Sequence, residues 1–200
     1  MAQRALRLVR GDLIELAEQG AFDVIVHGCN CQCSMGKGIA LAIKKRFPAA
    51  FRADCATPKG DAGKLGTISS AYIENIPLHV VNAYTQDHWR RPRGFSGSLT
   101  DYEAVRHCIR QVRQQFPGTH VGLPKIGAGL GGGDWTRIRG ILEDELAKYQ
   151  PVTVVFLPGD ADCPPEAPVV SSPDDLRMYD ESTGDVASAS ASSAITESVH

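Results

Sequence analysis

The stretch Phe22–Gly38, which reads FDVIVHGCNCQCSMGKG, indicates the class of fold. It begins with the apolar run Phe22–His27, which is typical of a strand buried on both faces rather than of an edge strand. A loop rich in glycine and cysteine follows. Apolar residues then recur every four positions over Ile39–Phe47, which predicts one face of a helix that Pro48 ends. A buried strand, a loop and a helix in direct succession form the repeating unit of an α/β protein.

The same alternation continues along the chain. The other strand-like segments are Ala5–Val9, Gly66–Ile73, Leu78–Ala83, Val121–Ile126 and Val152–Leu157. The other helical segments are Gly11–Gln19, Tyr102–Phe116 and Trp135–Leu146. Thr100 and Glu103 predict a capping box before the second of these helices. Six strands with interleaved helices predict a three-layer α/β/α fold with a mostly parallel central sheet, in which ligands bind beyond the carboxyl ends of the central strands.

Composition divides the chain at about residue 159. Residues 1–159 carry 20 Lys and Arg against 14 Asp and Glu, a balance of +6, whereas residues 160–200 carry only Arg177 against nine acids, a balance of −8. The second part is rich in Pro, Ser and Ala, with too few large apolar residues to offset the entropy of ordering it. We therefore predict one domain over 1–159 and an acidic, disordered tail over 160–200, with at most a short docked piece around Val169–Tyr179.

The remaining composition points to an ordinary intracellular protein. The N-terminus has no apolar signal-peptide core, and no apolar run approaches the roughly 20 residues of a membrane helix. Of the six cysteines, Cys29, Cys31 and Cys33 alternate too closely to pair with one another and lack the C-x-x-C spacing of zinc sites. These features predict a cytoplasmic location, reduced thiols and no metal.

Two junctions between a strand and a helix are unusually rich in glycine. They are residues 28–38 (GCNCQCSMGKG) and residues 127–135 (GAGLGGGDW). Such density indicates a backbone that reaches positive φ or approaches another group closely, and main-chain N–H groups before a helix form an anion site. A flexible surface loop is the alternative for either junction alone. The dinucleotide fingerprint and the Walker loop both fit poorly, because no acidic residue follows at the required distance and no Ser or Thr follows Lys37.

Several motifs occur together in one order and spacing. They are Gly11-Asp12-Leu13, Asn30 with Met35-Gly36-Lys37-Gly38-Ile39-Ala40, and Pro124-Lys125-Ile126-Gly127-Ala128-Gly129-Leu130. Through them, residues 4–158 resemble the macrodomain family. His27–Asn30, Tyr84–Gln86 and Gly132–Trp135 are most similar to a branch of small phage and bacterial macrodomains described as ADP-ribose-1''-phosphate phosphatases, close to the terminal ADP-ribose glycohydrolases. The resemblance implies a macrodomain fold that binds ADP-ribose between its two glycine-rich loops.

The resemblance also implies roles for individual residues. Asp12 would accept a hydrogen bond from the adenine amino group, although a helix N-cap also explains it, and the adjacent Leu13 would also contact the ligand. Asn30 would contact the distal ribose, although an asparagine at a strand end also ties a turn. The loop residues implied to hold the distal ribose and the diphosphate are Gly36, Lys37, Gly38, Ile39, Ile126, Gly127, Ala128, Gly129 and Leu130.

Three residues are candidates for catalysis. Asp134 or His88 could activate a water molecule that Asn30 steers. A helix N-cap is the alternative for Asp134, and a solvated loop histidine is the alternative for His88. The nearby arginines of the stretch 90–93 form a basic loop that could engage an acidic substrate or serve no specific purpose.

The chain departs from the related glycohydrolases at two positions. Where those enzymes carry a lysine that attacks the distal ribose, the strand Leu78–Ala83 is followed by Gln86, an amide that cannot be a nucleophile. Where they carry an acid after the Gly-x-Gly-Leu stretch, this chain has Gly131. We therefore expect a monomeric ADP-ribose-binding hydrolase that removes a 1''-phosphate from the distal ribose without a cofactor. The alternatives are a non-catalytic ADP-ribose reader and a hydrolase that removes ADP-ribose from protein or nucleic acid by a route without lysine.

Overall fold

One mixed sheet of six strands forms the centre of the protein in the computed structural model, which describes residues 6–91 and 93–182. The strands are β1 (Arg7–Arg10), β2 (Val24–Asn30), β3 (Ile68–Ile73), β4 (Leu78–Gln86), β5 (Val121–Leu123) and β6 (Val152–Phe156). Their order is β1-β6-β5-β2-β4-β3, and every neighbouring pair is parallel except β3 with β4. The predicted mostly parallel sheet is confirmed. Ala5, in the first predicted strand, lies outside the described residues.

Helices cover both faces of the sheet. In the described residues they are α1 (Leu13–Glu18), α2 (Gly38–Arg46), α3 (Pro48–Cys55), α4 (Tyr102–Gln115), α5 (Trp135–Leu142) and α6 (Pro173–Ser182). Leu16 of α1 and Ile43 of α2 belong to one core cluster, while Ile109 of α4 and Ile138 of α5 belong to another. The predicted three-layer arrangement is therefore confirmed. None of these helices is both long and apolar enough to cross a membrane.

The central strand β2 explains why the apolar run predicts the fold. Val24, Ile25 and Val26 are all fully buried. Val24 and Val26 pack in the cluster beneath α4 and α5, while Ile25 packs in the cluster beneath α1 and α2. Successive side chains of a strand point to opposite faces, so a strand covered on both faces is apolar at consecutive positions. The carboxyl end of β2 consequently lies in the middle of the sheet edge.

Two helix starts differ from the prediction. The capping box of Thr100 and Glu103 is wrong, because Asp101 caps α4 and its Oδ1 accepts a hydrogen bond from Ala104 N at 2.9 Å. Pro48 follows the end of α2 as predicted, but it also begins α3. A proline suits the first helical turn because its φ is preset and its missing N–H has no partner to lose there.

Two element ends also differ from the prediction. Strand β5 stops at Leu123 rather than Ile126, because Pro124 has no N–H for the ladder. The last predicted helix changes after Leu142 into a π-helical turn over Glu143–Ala147. The carboxylate of Glu145, in this turn, binds two arginines of α4. These contacts determine which side of the turn faces α4.

Part of the predicted tail is folded against the sheet. Its buried side chains are Cys163, Ala167, Val170 and Leu176. Val169 forms a parallel bridge with Arg10 at the end of β1, and α6 follows. The predicted boundary at residue 159 and the predicted disorder from residue 160 therefore do not coincide with the end of the packed chain. Residues 183–200, the rest of the predicted tail, lie outside the described residues.

Candidate functional site

The two glycine-rich loops meet at the carboxyl edge of the sheet. The first loop leads from β2 into the first turn of α2, and the second leads from β5 to α5. Gly38 has a φ of +55°, and a Cβ placed there would lie 3.3 Å from Leu130 Cδ1. A Cβ placed at Gly28 would lie 3.7 Å from the main-chain nitrogen of Gly127. The two loops therefore line one cleft.

Both loops carry main-chain N–H groups that donate to no atom of the described residues. Within the described residues, such groups belong to Gly36, Lys37, Gly38, Ile39, Gly127, Gly129, Leu130 and Gly131. The first four are at the N-terminus of α2, where the helix dipole adds positive potential. Donors on two sides of a cleft suit an anion with several acceptor oxygens, such as a diphosphate.

The second loop is held in shape by the segment before α4. Thr100 Oγ1 donates to the main-chain oxygen of Gly127 over 2.7 Å, and Gly133 N donates to the same oxygen over 2.9 Å. Gly127 has a φ of +71°, a conformation that residues with a Cβ rarely adopt. These two bonds fix the point at which the loop leaves β5. Sequence reasoning missed this role of Thr100 because it assigned the residue to helix capping.

The glycines of the second loop have different causes. A Cβ at Gly133 would lie 2.9 Å from both Gly127 O and Ile138 Cδ1, so packing requires that glycine. A Cβ at Gly129, by contrast, would meet no atom of the described chain within 4 Å, and no positive φ requires glycine there. In the first loop, a Cβ at Gly36 would meet only Ser34 Oγ at 3.8 Å. Gly129 and Gly36 therefore leave space in front of the N–H donors.

Asn30 stands where β2 enters the first loop. Its Nδ2 donates to Ser34 O at 3.0 Å, and its Oδ1 accepts from Gln32 N at 3.0 Å. The alternative that it ties a turn is thus observed, but one N–H and one lone pair of the amide stay free. A shift in the register between β2 and β4 places Asn30 opposite Gln86. Gln86 Oε1 in turn lies 3.1 Å from the position of a Cβ at Gly131, so this edge joins both loops.

The two predicted general bases differ in their hydrogen bonds. Asp134 is exposed and caps α5, with Oδ1 accepting from Arg137 N at 3.2 Å, which leaves Oδ2 free to accept a proton. His88 is exposed, and its Nδ1 accepts from Arg90 N at 2.9 Å. A neutral histidine in that arrangement carries its proton on Nε2 and has no lone pair left to act as a base. The geometry therefore favours Asp134 over His88.

A separate cavity of about 300 Å³ lies at the other end of the sheet edge, at Asp12. Asp12 Oδ1 caps α1 by accepting from Ile14 N at 2.8 Å and Glu15 N at 3.1 Å, while its Oδ2 has no partner in the described residues. Both roles considered for Asp12 are thus compatible. Leu13 and Ile126, also predicted for the site, have buried side chains in the core clusters, so only their main chains can face a ligand.

A buried polar layer lies beneath the first loop. Lys64 Nζ donates to Cys31 O at 3.2 Å and to Cys33 Sγ at 3.3 Å, and it lies 3.8 Å from Asp54 Oδ1. Tyr84 OH donates to the same carboxylate oxygen at 2.9 Å. The layer supports the backbone around Cys33, whose φ is +50°. The sequence gives no local signal for it, because its members come from four separate segments.

The cysteine and histidine residues near the first loop are packed in the core. No group of three or more His, Cys, Asp or Glu in the described residues could hold a metal ion. His27 Nε2 pairs with Asn82 Oδ1 at 2.8 Å, and burial lowers the pKa of His27 to about 4. Burial likewise raises the pKa of Cys29. Both groups are therefore neutral at pH 7.

The predicted basic loop borders the second glycine-rich loop. Arg91 packs against Gly132, and its Nη1 donates to Gly97 O at 3.3 Å. Arg90 lies over the ring of Trp89, 5.0 Å from its centroid, and is exposed. The loop thus brings positive charge to the rim of the cleft without closing it.

The chain is similar to several known proteins. The Macro domain family matches residues 26–142. An uncharacterised 17.5 kDa protein of Enterobacteria phage T4 is 32% identical, covering 76% of this chain and 97% of the phage protein. An ADP-ribose 1''-phosphate phosphatase of Aspergillus clavatus is 29% identical, covering 67% of this chain and 86% of the phosphatase. A DNA ADP-ribosyl glycohydrolase of Mycobacterium tuberculosis is 30% identical, covering 68% of this chain but only 38% of that enzyme.

Solved structures agree with the fold. The macrodomain of Thermus aquaticus DarG superimposes with a TM-score of 0.57 at 26% identity, covering 76% of this chain and 97% of that one. The family match over residues 26–142 includes both glycine-rich loops.

Proposed function

This chain belongs to the Macro domain family, and we propose that it binds ADP-ribose between its two glycine-rich loops and hydrolyses a 1''-phosphate on the distal ribose. The observation that carries the binding is the convergence of unpaired main-chain donors from Gly36–Ile39 with those of Gly127, Gly129, Leu130 and Gly131. A diphosphate offers several acceptor oxygens that can be met from both loops at once. Main-chain donors do not titrate, so affinity should change little with pH.

The adenosine end of the ligand fits the cavity at Asp12. The free Oδ2 of Asp12 is an acceptor for the exocyclic amino group of adenine. Leu157, which lines the same cavity and is 64% exposed, offers an apolar surface to the base. Burying the Leu157 side chain under a ligand would stabilise the complex by the usual hydrophobic contribution.

Hydrolysis is supported by the name of the Aspergillus clavatus relative, and we assign it to Asn30 and Asp134. Asn30 orients the distal ribose with its free N–H. Asp134 Oδ2 takes a proton from a water molecule as the water oxygen attacks phosphorus and the bond from phosphorus to the C1'' oxygen breaks. The leaving C1'' oxygen takes a proton from solvent, and Asp134 later returns its own proton to solvent. Main-chain N–H groups stabilise the charge that develops on the phosphoryl oxygens. The products are ADP-ribose and inorganic phosphate.

Two other functions remain candidates, each favoured by one observation. The exposure of Asp134 and the engaged Nδ1 of His88 leave few groups for acid–base chemistry, which favours a reader that binds without turnover. The mycobacterial relative is named a DNA ADP-ribosyl glycohydrolase, which favours removal of ADP-ribose from a nucleic acid or protein. Gln86 and Gly131 stand where the resemblance implies a lysine and an acid, so that reaction would need a different route.

Calorimetric titration with ADP-ribose, followed by phosphate release from ADP-ribose-1''-phosphate, tests the proposal. We expect binding and phosphate release by the unchanged chain. Asp134→Asn is a matched variant, because asparagine caps a helix as well as aspartate but cannot accept the proton. It should bind ADP-ribose normally and lose about 10²- to 10⁴-fold in turnover, the usual contribution of a general base.

The outcomes separate the candidates. Binding without phosphate release would establish the reader, and loss of label from ADP-ribosylated DNA or protein would establish the third function. Asn30→Ala should abolish turnover in an enzyme and only weaken binding in a reader. No binding at millimolar ADP-ribose would overturn the proposal. We also propose that the chain acts as a monomer in the cytoplasm, a prediction that rests on its composition alone.

A further inference from the structure

We propose that the C-terminal segment, residues 160–178, forms the outer wall of the base subsite, so that Ser171 and Val170 limit what base can bind and Arg10 positions them. This inference rests on the proposed binding of ADP-ribose. It assigns a function to part of the chain that the composition predicts to be a disordered tail.

The cavity at Asp12 is built from three parts of the chain. Asp12 and Leu16 line it from the start of α1, and Leu157 lines it from the end of β6. Val170 and Ser171 supply the remaining side from the C-terminal segment. The Asp12 carboxylate and the Leu157 side chain are exposed, and the C-terminal segment is the wall that faces them across the cavity. The C-terminal segment therefore turns a surface into a pocket near the lower end of the usual size range for small ligands, which is about 300 Å³.

The C-terminal segment is anchored to the strand that leads to Asp12. Val170 N donates to Arg10 O at 2.8 Å, and Arg10 N donates to Pro168 O at 2.8 Å. The Arg10 guanidinium adds bonds of 2.6 Å to Ala167 O and 2.6 Å to Pro164 O. Arg10 is two residues before Asp12, so the wall and the predicted base contact share one support.

A second anchor and close packing complete the attachment. Lys125, just before the second glycine-rich loop, pairs with Asp160 at 2.7 Å and Asp162 at 2.6 Å. A Cβ at Gly11 would lie 2.6 Å from Val170 O, so only glycine allows the C-terminal segment to approach this closely. The backbone between Arg10 and Asp12 is thus shaped to receive it.

The chemistry of the pocket selects its occupant. The exposed Leu157 side chain presents apolar surface, while Asp12 Oδ2 and the exposed Glu15 carboxylate, which also lines the cavity, present anionic acceptors. A flat, largely apolar ring with an exocyclic amino group satisfies both. Adenine has this chemistry, whereas the ribose and phosphate groups of the ligand do not. The C-terminal segment should therefore affect binding of the base and leave the diphosphate loops unchanged.

Ser171→Phe tests the wall directly. Its side chain is exposed at the cavity, so phenylalanine should fill the space of the base without disturbing the core. We expect affinity for ADP-ribose to fall by about tenfold or more, whereas affinity for ribose 5-phosphate, which has no base, stays unchanged. Ser70→Phe, on the exposed face of β3, is the matched control and should bind both ligands normally. Melting temperatures identify any variant that folds poorly.

Trypsin gives an independent test on the unchanged chain. Arg177 lies in α6 beside the buried Leu176, and cleavage after it requires α6 to detach from the core and unwind. ADP-ribose should slow this cleavage because it contacts the wall, and ribose 5-phosphate should not. Arg10→Met should speed cleavage and weaken ADP-ribose binding together.

Each result decides between the two proposals. Normal ADP-ribose binding by Ser171→Phe, or unchanged cleavage with ADP-ribose bound, overturns the role of the C-terminal segment and leaves the proposed function intact. Failure of the unchanged chain to bind ADP-ribose overturns the proposed function and the inference with it.

Discussion

The Thr100 hydroxyl donates to the main-chain oxygen of Gly127 over 2.7 Å, and this bond joins the start of α4 to the start of the second glycine-rich loop. The two residues are 27 positions apart. Gly133 N donates to the same oxygen, so the loop is closed on itself at the point where Thr100 holds it. The shape of the proposed diphosphate site therefore depends on a side chain that need not touch the ligand.

Thr100→Val should weaken ADP-ribose binding by about tenfold, because valine keeps the shape of threonine but cannot donate to Gly127. We expect a loss of about 1 kcal/mol in the free energy of unfolding, the usual value of one hydrogen bond. Calorimetry and urea unfolding measure the two effects. Thr100→Ser retains the hydroxyl and is the control. Equal affinities for Thr100→Val and the unchanged chain would contradict the role given to this bond.

Gly129→Val should also weaken ADP-ribose binding by about tenfold, while the melting temperature stays the same. The added side chain meets no atom of the described chain within 4 Å, and in the proposed site it takes space that the ligand needs. Gly140→Val is the matched control, because Gly140 of α5 is equally uncrowded but lies away from the loops. Titration of both variants with ADP-ribose separates crowding of the cleft from a general effect of the substitution. Similar affinities for the two variants would place the ligand elsewhere.

Substitutions of Lys64 and Asp54 should have strongly coupled effects on the free energy of unfolding. Their side chains are 5% and 1% exposed, and Asp54 Oδ2 has no hydrogen-bond partner in the described residues. Asp54→Ala or Lys64→Met alone would leave the other charge buried, at a cost of about 3 kcal/mol in the free energy of unfolding. The double variant should lose clearly less than the sum. Urea unfolding of all four proteins measures the coupling, and additive losses would show that the two groups do not interact.

His27 should make the protein less stable in weak acid. Burial lowers its pKa in the folded protein to about 4, against 6.5 for the free side chain, so between these values the unfolded chain binds the extra proton. The contribution of His27 is complete above pH 6.5 and falls by about 1.4 kcal/mol for each pH unit down to pH 4. His120, whose pKa burial also lowers to about 4, acts in the same direction. Urea midpoints at pH 7 and pH 5 measure the total.

His27→Gln separates the two histidines. The stability of this variant should fall less between pH 7 and pH 5 than that of the unchanged chain. The remaining fall is the part that His120 contributes. A variant with the same pH dependence as the unchanged chain would show that His27 does not titrate on unfolding.

The sequence predicts those parts of the fold whose cause is local. The apolar run of β2 and the spacing along α4 both reflect burial of neighbouring residues, and both elements are present. The packing of residues 160–178 is different, because Arg10 binds Pro164 and Ala167 across more than 150 residues. No pattern within the C-terminal segment indicates a partner at that distance. A few apolar residues are enough to fold this segment, because the edge of β1 and the Arg10 side chain bind its main chain.

The candidate site also has parts that the sequence predicts and parts that it does not. Glycine density and two helix starts identify the loops, because backbone conformation is a property of each position. The support beneath them comes from Thr100 and from the pair of Lys64 and Asp54, whose partners are distant in sequence. The assignment of Thr100 to a capping box fails for this reason, since Asp101 is a sufficient cap and leaves the threonine hydroxyl to bind Gly127.

The tight fit at Gly131 limits how this chain could change in evolution. A Cβ at Gly131 would overlap Thr100 Oγ1 and lie 2.8 Å from Gly127 O. An acid cannot be acquired at this position, where the resemblance places one in the related glycohydrolases, while Thr100 keeps its present contact. Replacing Thr100 alone would not make room for a side chain, because the main-chain oxygen of Gly127 would still be too close. Any residue other than glycine at this position therefore requires the loop itself to move.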